Sequence, residues 1–397
     1  MQPQATTQSG FRPVSSETER PTWPATRLTS RLGIEYPIIQ GPLGGFATQQ
    51  LTAAVSNFGG LGSFGAHGLA PSAIRDVIAE IRSLTRKPFA MNLWVSMEDA
   101  GAFSSTADDF AKSLARIAPH IKRLGGALPT YKPYTPVRFE DQARVLLDAG
   151  VPVFSFIVGI PPQEILDECR AKAILTVGTA TTPDEAIALE QAGVDVIVAS
   201  GFEAGGHRGS FLRRAEESLT GTIALVPQVV DLVSVPVVAA GGITDARGIV
   251  AALALGAEGV QMGTAFLACE ESGAPAHHRS ALLTGKASRT ALTTGLTGRL
   301  ARGIQNQLID ELNQPGGEIL PYPLQRALVK NLVTPAEKAG NFDLSQMWAG
   351  QSANLTRFVH ATELLQSLVT EVSSIAGSVL PWSRARRMEA RPAAGEV

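Results

Sequence analysis

The chain has 397 residues, 44% apolar and 18% charged, enough to bury a large core and too apolar for a disordered or fibrous protein. Lys plus Arg (34) nearly balances Asp plus Glu (36), a formal charge of −2, so the basic footprint of a nucleic-acid binder is missing. No run of about 18 apolar residues reads as a membrane span, and Cys169 and Cys269 are too far apart to pair as ligands or redox partners. That usage suits a reducing compartment and predicts a cytoplasmic protein with no bound metal.

Residues 1–26 are polar and rich in Gln, Thr, Ser and Pro, without the basic start and apolar stretch of a secretory signal. They are read as a disordered or surface-draped leader. Eight short apolar runs follow: Ile38 to Leu43, Leu61 to Ala66, Phe89 to Val95, Val151 to Gly159, Ala173 to Thr179, Val194 to Gly201, Val235 to Ile243 and Glu258 to Phe266. Between them lie helical patterns at 48–57, 71–84, 162–170, 183–191 and 245–255. Thr182-Pro-Asp-Glu185 opens one as helices open, with a capping hydroxyl, a first-turn proline and two carboxylates. Alternating strand and helix, with continuously apolar strands, predicts a (β/α)8 TIM barrel at 27–283, ahead of an open doubly wound sheet.

Two stretches break the alternation. Residues 96–150 are read as an insertion after strand 3, with helical segments at 108–123 and 139–149 around a Pro/Tyr-rich loop. Residues 284–380 are read as a C-terminal helical cap on the barrel mouth, with a loop at 284–303 and helices near 324–340 and 353–375. The tail, 381–397, carries Arg384, Arg386 and Arg387 and reads as a frayed end.

Catalytic residues of such barrels sit at the C-terminal ends of strands. The sixth run ends in Gly201-Phe-Glu-Ala-Gly-Gly-His-Arg-Gly209, whose glycines let a flat ligand approach the main chain. His207 within it is the candidate base, because imidazole titrates near neutrality. Glu203 orients this loop or the imidazole, or caps a backbone turn. The seventh and eighth runs offer Gly241, Gly242, Gly263 and Thr264 as a phosphate site. Asn92, an amide inside an apolar run, needs partners that a flavin ring edge would provide. His67 follows strand two and faces either the mouth or the core, whereas His120, His277, His278 and His360 read as ordinary surface or core residues. Gly60-Leu-Gly-Ser-Phe-Gly65 matches a dinucleotide fingerprint in spelling only, since it follows a helix and contains the strand.

Gly41-Pro-Leu-Gly-Gly45, Asn92-Leu-Trp94, the 201–209 loop, Ala239-Ala-Gly-Gly-Ile243 and Gln261-Met-Gly-Thr264 occur together and in order. With Ala301-Arg-Gly-Ile304, Pro321-Tyr-Pro-Leu-Gln325 and Trp348-Ala-Gly350, they resemble the nitronate monooxygenase family, formerly 2-nitropropane dioxygenases, over about Leu32 to Leu365. The resemblance implies FMN contacts from Asn92, Gly205, Gly242, Gln261, Met262, Gly263 and Thr264, and His207 as the catalytic residue near the flavin. Ser200 stands where many members have Gln, so a shorter hydroxyl takes that position.

The implied reaction is detoxifying oxidation of a nitronate, such as propionate 3-nitronate, by O2 to a carbonyl compound and nitrite, in a monomer or homodimer. The nearest rivals are NAD(P)H-dependent flavin reductases of the enoyl-acyl-carrier-protein or quinone reductase type. A non-enzymatic flavin or phosphate binder is the reading from another class.

Overall fold

The computed structural model describes Trp23 and residues 25–379, and in it each of the eight apolar runs contains a strand. These are β1 (Ile38–Gln40), β2 (Gly62–Gly65), β3 (Phe89–Trp94), β4 (Val153–Ile157), β5 (Leu175–Ala180), β6 (Val196–Ser200), β8 (Val237–Ala240) and β9 (Gly259–Met262). Three more strands, β7 (Gly206–His207), β10 (Thr290–Thr293) and β11 (Ala301–Ile304), form a separate antiparallel sheet.

The eight pair in parallel in the order β1-β9-β8-β6-β5-β4-β3-β2. Gln40 N–H donates to Leu61 C=O and Leu61 N–H to Ile38 C=O, each 2.9 Å, which closes the ring between β1 and β2. The architecture is therefore a (β/α)8 barrel, not the open sheet. Ile39, Ala90, Val153, Val177, Val196 and Val238 form its inner cluster, joined by Leu28 and Leu32 of the short helix Arg27–Leu32. A larger apolar layer lies between the strands and the surrounding helices.

Several elements differ from expectation. The eighth run stops as strand at Met262 and turns into the helix Thr264–Leu267, because a short, continuously apolar run carries no period that separates strand from helix. The expected loop at 284–303 contains β10 and the start of β11; β11 pairs along its length with β10 and, on its other edge, with β7, Ala301 opposite His207 and Arg302 opposite Gly206. The final helix runs Ala361–Val379 rather than from 353, and Leu364, Leu365, Leu368 and Val369 bury into the barrel's outer layer against the helices Gln49–Phe58 and Ala246–Ala254.

The insertion is split in its packing. Its second helix, Phe139–Ala149, packs on the barrel, whereas Phe110, Ile117 and Ile121 of Ala107–Arg123 join Leu324, Leu328 and Leu332 of the helix Leu324–Lys338 in a second core. Of the leader, Trp23 is held: its Nε1 donates to Ser373 Oγ at 3.2 Å and its ring meets Tyr36 edge-on. The rest of that segment before Ala25, and the tail with its three arginines, lie outside the described residues.

Candidate active site

The strand ends and the second core enclose a cavity of about 450 Å³, within the range of cofactor and substrate sites. His207, Asn92, Ser200, Gly205, Gly241, Gly242, Gln261, Gly263 and Thr264 all line it. Met262 does not: its side chain is fully buried in the layer between strands and helices, so only its main chain is near.

The floor is glycine for steric reasons. A Cβ on Gly205 would lie 2.6 Å from the Ala349 carbonyl carbon and the Gly350 nitrogen, and Gly241 and Gly242 have φ of +103° and +70°. The Gly350 N–H donates to Thr264 Oγ1 at 2.9 Å, leaving the Thr264 hydroxyl proton free to point elsewhere. Asn92 Nδ2 donates to Ser155 Oγ at 3.0 Å, which meets part of the amide's need. Its Oδ1, the Ser200 hydroxyl and the Gln261 amide have no protein partner among the described residues. This spare donor and acceptor capacity around a glycine floor fits a flat heterocycle bearing carbonyl and N–H groups, with a phosphate tail at the glycine amides.

The 201–209 loop is held from behind by two buried arginines. Arg208 donates to the carbonyls of Ser200, Gly201 and Ser218, and Arg302 donates to the carbonyl of Phe202. Burial lowers the Arg208 guanidinium to about 10, still well above neutrality. Glu203 takes the capping alternative: its carboxylate accepts from the N–H and hydroxyl of Thr222, at the start of the helix Thr222–Leu232.

His207 stands on the cavity wall within an aromatic group. Its ring lies 4.9 Å from Trp94, 5.3 Å from Trp348 and 6.1 Å from Tyr322. Burial, then His67 and the positive charges of Arg326 and Arg299, hold it well below the ordinary imidazole value of 6.5, so it is neutral at physiological pH. His67 also lines the cavity. Of the other histidines, His278 is fully buried and makes a 2.8 Å hydrogen bond to the Trp348 carbonyl behind the site.

Several residues that the sequence reading did not assign reach the site. Arg326 and Lys330 line its mouth from the helix Leu324–Lys338, and neither has a carboxylate partner among the described residues. Arg299 lies with its guanidinium carbon 4.7 Å from the Tyr322 ring centroid and 5.7 Å from that of Trp94. Tyr322 and Trp348 belong to motifs that carry the resemblance, which was the available signal for them. Gln325, in the same motif, is structural: it accepts from Ser113 Oγ and Leu320 N–H and donates to the Gly295 carbonyl. The Gly60–Gly65 string likewise packs strands, since a Cβ on Gly62 would overlap the Thr52 carbonyl.

The family model described as nitronate monooxygenase matches residues 25–371. A probable nitronate monooxygenase from Staphylococcus aureus (strain Newman) is 41% identical over 354 residues, covering 89% of this chain and 99% of that protein. Among solved structures, a nitroalkane oxidase from Streptomyces ansochromogenes superposes with a TM-score of 0.81 at 36% identity, over 89% of this chain and 100% of its own. FabK from Thermotoga maritima gives 0.70 at 27% identity, over 91% of this chain and 100% of its own.

Proposed function

Since the chain belongs to the nitronate monooxygenase family of oxidoreductases, we propose that it binds FMN and oxidises alkyl nitronates with O2 to a carbonyl compound and nitrite. The observation that carries this reading is a neutral imidazole, His207, on the wall of a glycine-floored cavity. Gly241, Gly242, Gly263 and Thr264 would hold the phosphate; Asn92, Ser200 and Gln261 would meet the ring edge beside Gly205. Met262 contributes through its main chain. The bound flavin supplies the electron transfer from nitronate to O2.

The protein's own chemistry is proton handling and charge placement. With a neutral nitroalkane, His207 removes the α-proton while the C–H electron pair passes to the nitro group. With a preformed nitronate, the same ring as imidazolium pairs with the anion. Burial favours the first use, because it disfavours the charged ring until an anion arrives. Arg326 and Lys330, cations without carboxylate partners at the mouth, suit a substrate with a second negative group, and propionate 3-nitronate is one. We assign the flavin to the barrel, 27–283, and the substrate entrance to the cap, 284–380, with the first helix of the insertion.

The test is anaerobic. FMN-loaded protein should bleach with propionate 3-nitronate and not with NAD(P)H, and turnover in air should release nitrite. Rapid bleaching by NAD(P)H would overturn the proposal in favour of a reductase, and failure to take up flavin would remove both enzyme readings.

A further inference from the structure

Thr297, in the connection between β10 and β11, is fully buried. Its hydroxyl oxygen has three hydrogen-bonding neighbours: His207 Nε2 at 2.9 Å, the Arg299 carbonyl at 3.1 Å and the Arg299 N–H at 3.3 Å. A threonine hydroxyl has one proton and two lone pairs. The carbonyl can only accept and the backbone N–H can only donate. If the hydroxyl proton goes to the carbonyl, the two lone pairs receive the Arg299 N–H and an N–H on His207 Nε2, and every group is paired. If it goes instead to His207, the Arg299 carbonyl is left without a donor among the described residues, which is costly wherever water is excluded.

We infer that Thr297 is a positioning residue that holds His207 as the Nε2–H tautomer, which leaves Nδ1 as the unprotonated nitrogen presented to substrate. The His207 ring makes no other protein hydrogen bond among the described residues, and it lines the cavity. The inference rests on His207 acting as the base and says which atom does so. In the step, the substrate α-C–H bond breaks, its electron pair forms the C=N bond of the nitronate as the nitro π pair moves to oxygen, and the proton bonds to Nδ1. The imidazolium keeps Nε2–H on Thr297, so nothing on that side rearranges. The opposite tautomer would aim an N–H at the substrate carbon and bury the lone pair against Thr297.

Tertiary contacts set this bracket. Arg299 Nε donates to Asp99 Oδ1 at 2.8 Å and a terminal nitrogen to the Ser96 carbonyl at 2.9 Å, tying the loop to the end of β3. The pairing of Ala301 with His207 fixes the other side. Charged or titratable groups around the ring are His67, Tyr322, Arg299 and Arg326, and Lys330 and Glu337 line the same cavity; the Glu337 carboxylate is engaged by Ser345 Oγ and His277, and among the described residues no carboxylate hydrogen-bonds to the His207 ring.

The tautomer can be read directly by long-range proton–nitrogen correlation NMR on FMN-loaded protein with 15N-labelled histidine, using His207→Asn to identify the signals. The wild-type ring should show the Nε2–H pattern. Thr297→Val should shift it towards a mixture and slow turnover of neutral nitroethane by about tenfold or more, with a change of less than about threefold on preformed ethyl nitronate. Thr297→Ser should restore both tautomer and rate. A wild-type Nδ1–H pattern overturns the inference, and so does a Val variant that keeps wild-type pattern and rate. An Nε2–H ring in a protein whose His207→Asn variant still turns over nitroethane normally would sustain the tautomer assignment and remove the base reading.

Discussion

His67 lies flat on Trp94, with ring centroids 4.3 Å apart and planes 13° apart, and its buried Nδ1 has no partner among the described residues. The same indole meets His207 edge-on, so two imidazoles share one aromatic wall. Burial, reinforced by the charges of Arg326 and Arg299, drives His67 down to about 3. His278, buried behind the site, is lowered to about 4 mainly by desolvation. These rings remain neutral in the folded protein where exposed histidines have taken up protons.

Stability should therefore fall towards acid. Above about pH 6.5 neither the folded nor the unfolded chain protonates these rings, and they have no effect. Below it the unfolded chain binds protons that the native state refuses, at about 1.4 kcal/mol per pH unit for each ring, until the folded value is reached. In urea titrations between pH 6 and pH 4, His67→Asn should show a shallower loss than wild type by roughly one proton's worth. Parallel curves would contradict the assignment.

His207→Asn keeps a polar side chain of similar reach and removes the base. Its kcat/KM for neutral nitroethane should drop about a hundredfold or more, while activity on preformed nitronate falls far less. Equal losses on both substrates would show that the ring does not abstract the proton. Because the ring's pKa is depressed, wild-type nitroethane turnover should also stay flat as pH falls through 6.5, and lose rate only in more acid solution.

Arg326→Ala and Lys330→Ala should each raise KM for propionate 3-nitronate by about tenfold, the scale of one charge-assisted hydrogen bond. KM for ethyl nitronate, which lacks the carboxylate, should move by less than about twofold, and added salt should weaken binding of the dianion in wild type. If both nitronates respond alike, the mouth cations do not read the second charge.

Gly205→Ala and Gly206→Ala separate crowding from backbone strain. A methyl on Gly205 meets the Ala349–Gly350 backbone at 2.6 Å, whereas one on Gly206, with φ of +77°, meets nothing. The first should lose about 1–3 kcal/mol and release FMN on dilution; the second should lose about 1–2 kcal/mol and retain it better. Denaturant melts with flavin fluorescence of the filtrate measure both.

Much of the barrel was legible because each strand is a short apolar run stopped by a turn, and local sequence carries that signal. Gly263-Thr-Ala-Phe266 was misread because its apolar residues continue the run of β9 without a change of period. β10 and β11 are not legible for another reason: Thr290–Thr293 and Ala301–Ile304 have no strong strand pattern, and they form by pairing with each other while β11 also pairs with the distant Gly206–His207 edge. The glycine string at 201–209 marked its own place in the site, since barrel topology collects strand ends.

By itself the sequence determined the eight-unit barrel, the family, and which strand ends carry glycines, amides and an imidazole, because periodicity and short motifs are local. Only the tertiary structure decided that Ala107–Arg123 of the insertion and Leu324–Lys338 of the cap form one core, and that this core brings Arg326 and Lys330 to the mouth. It also decided that Thr297, ninety residues beyond His207, stands against its Nε2. Such contacts join segments with no common period or spacing; they arise from which apolar faces remain uncovered once the barrel has closed.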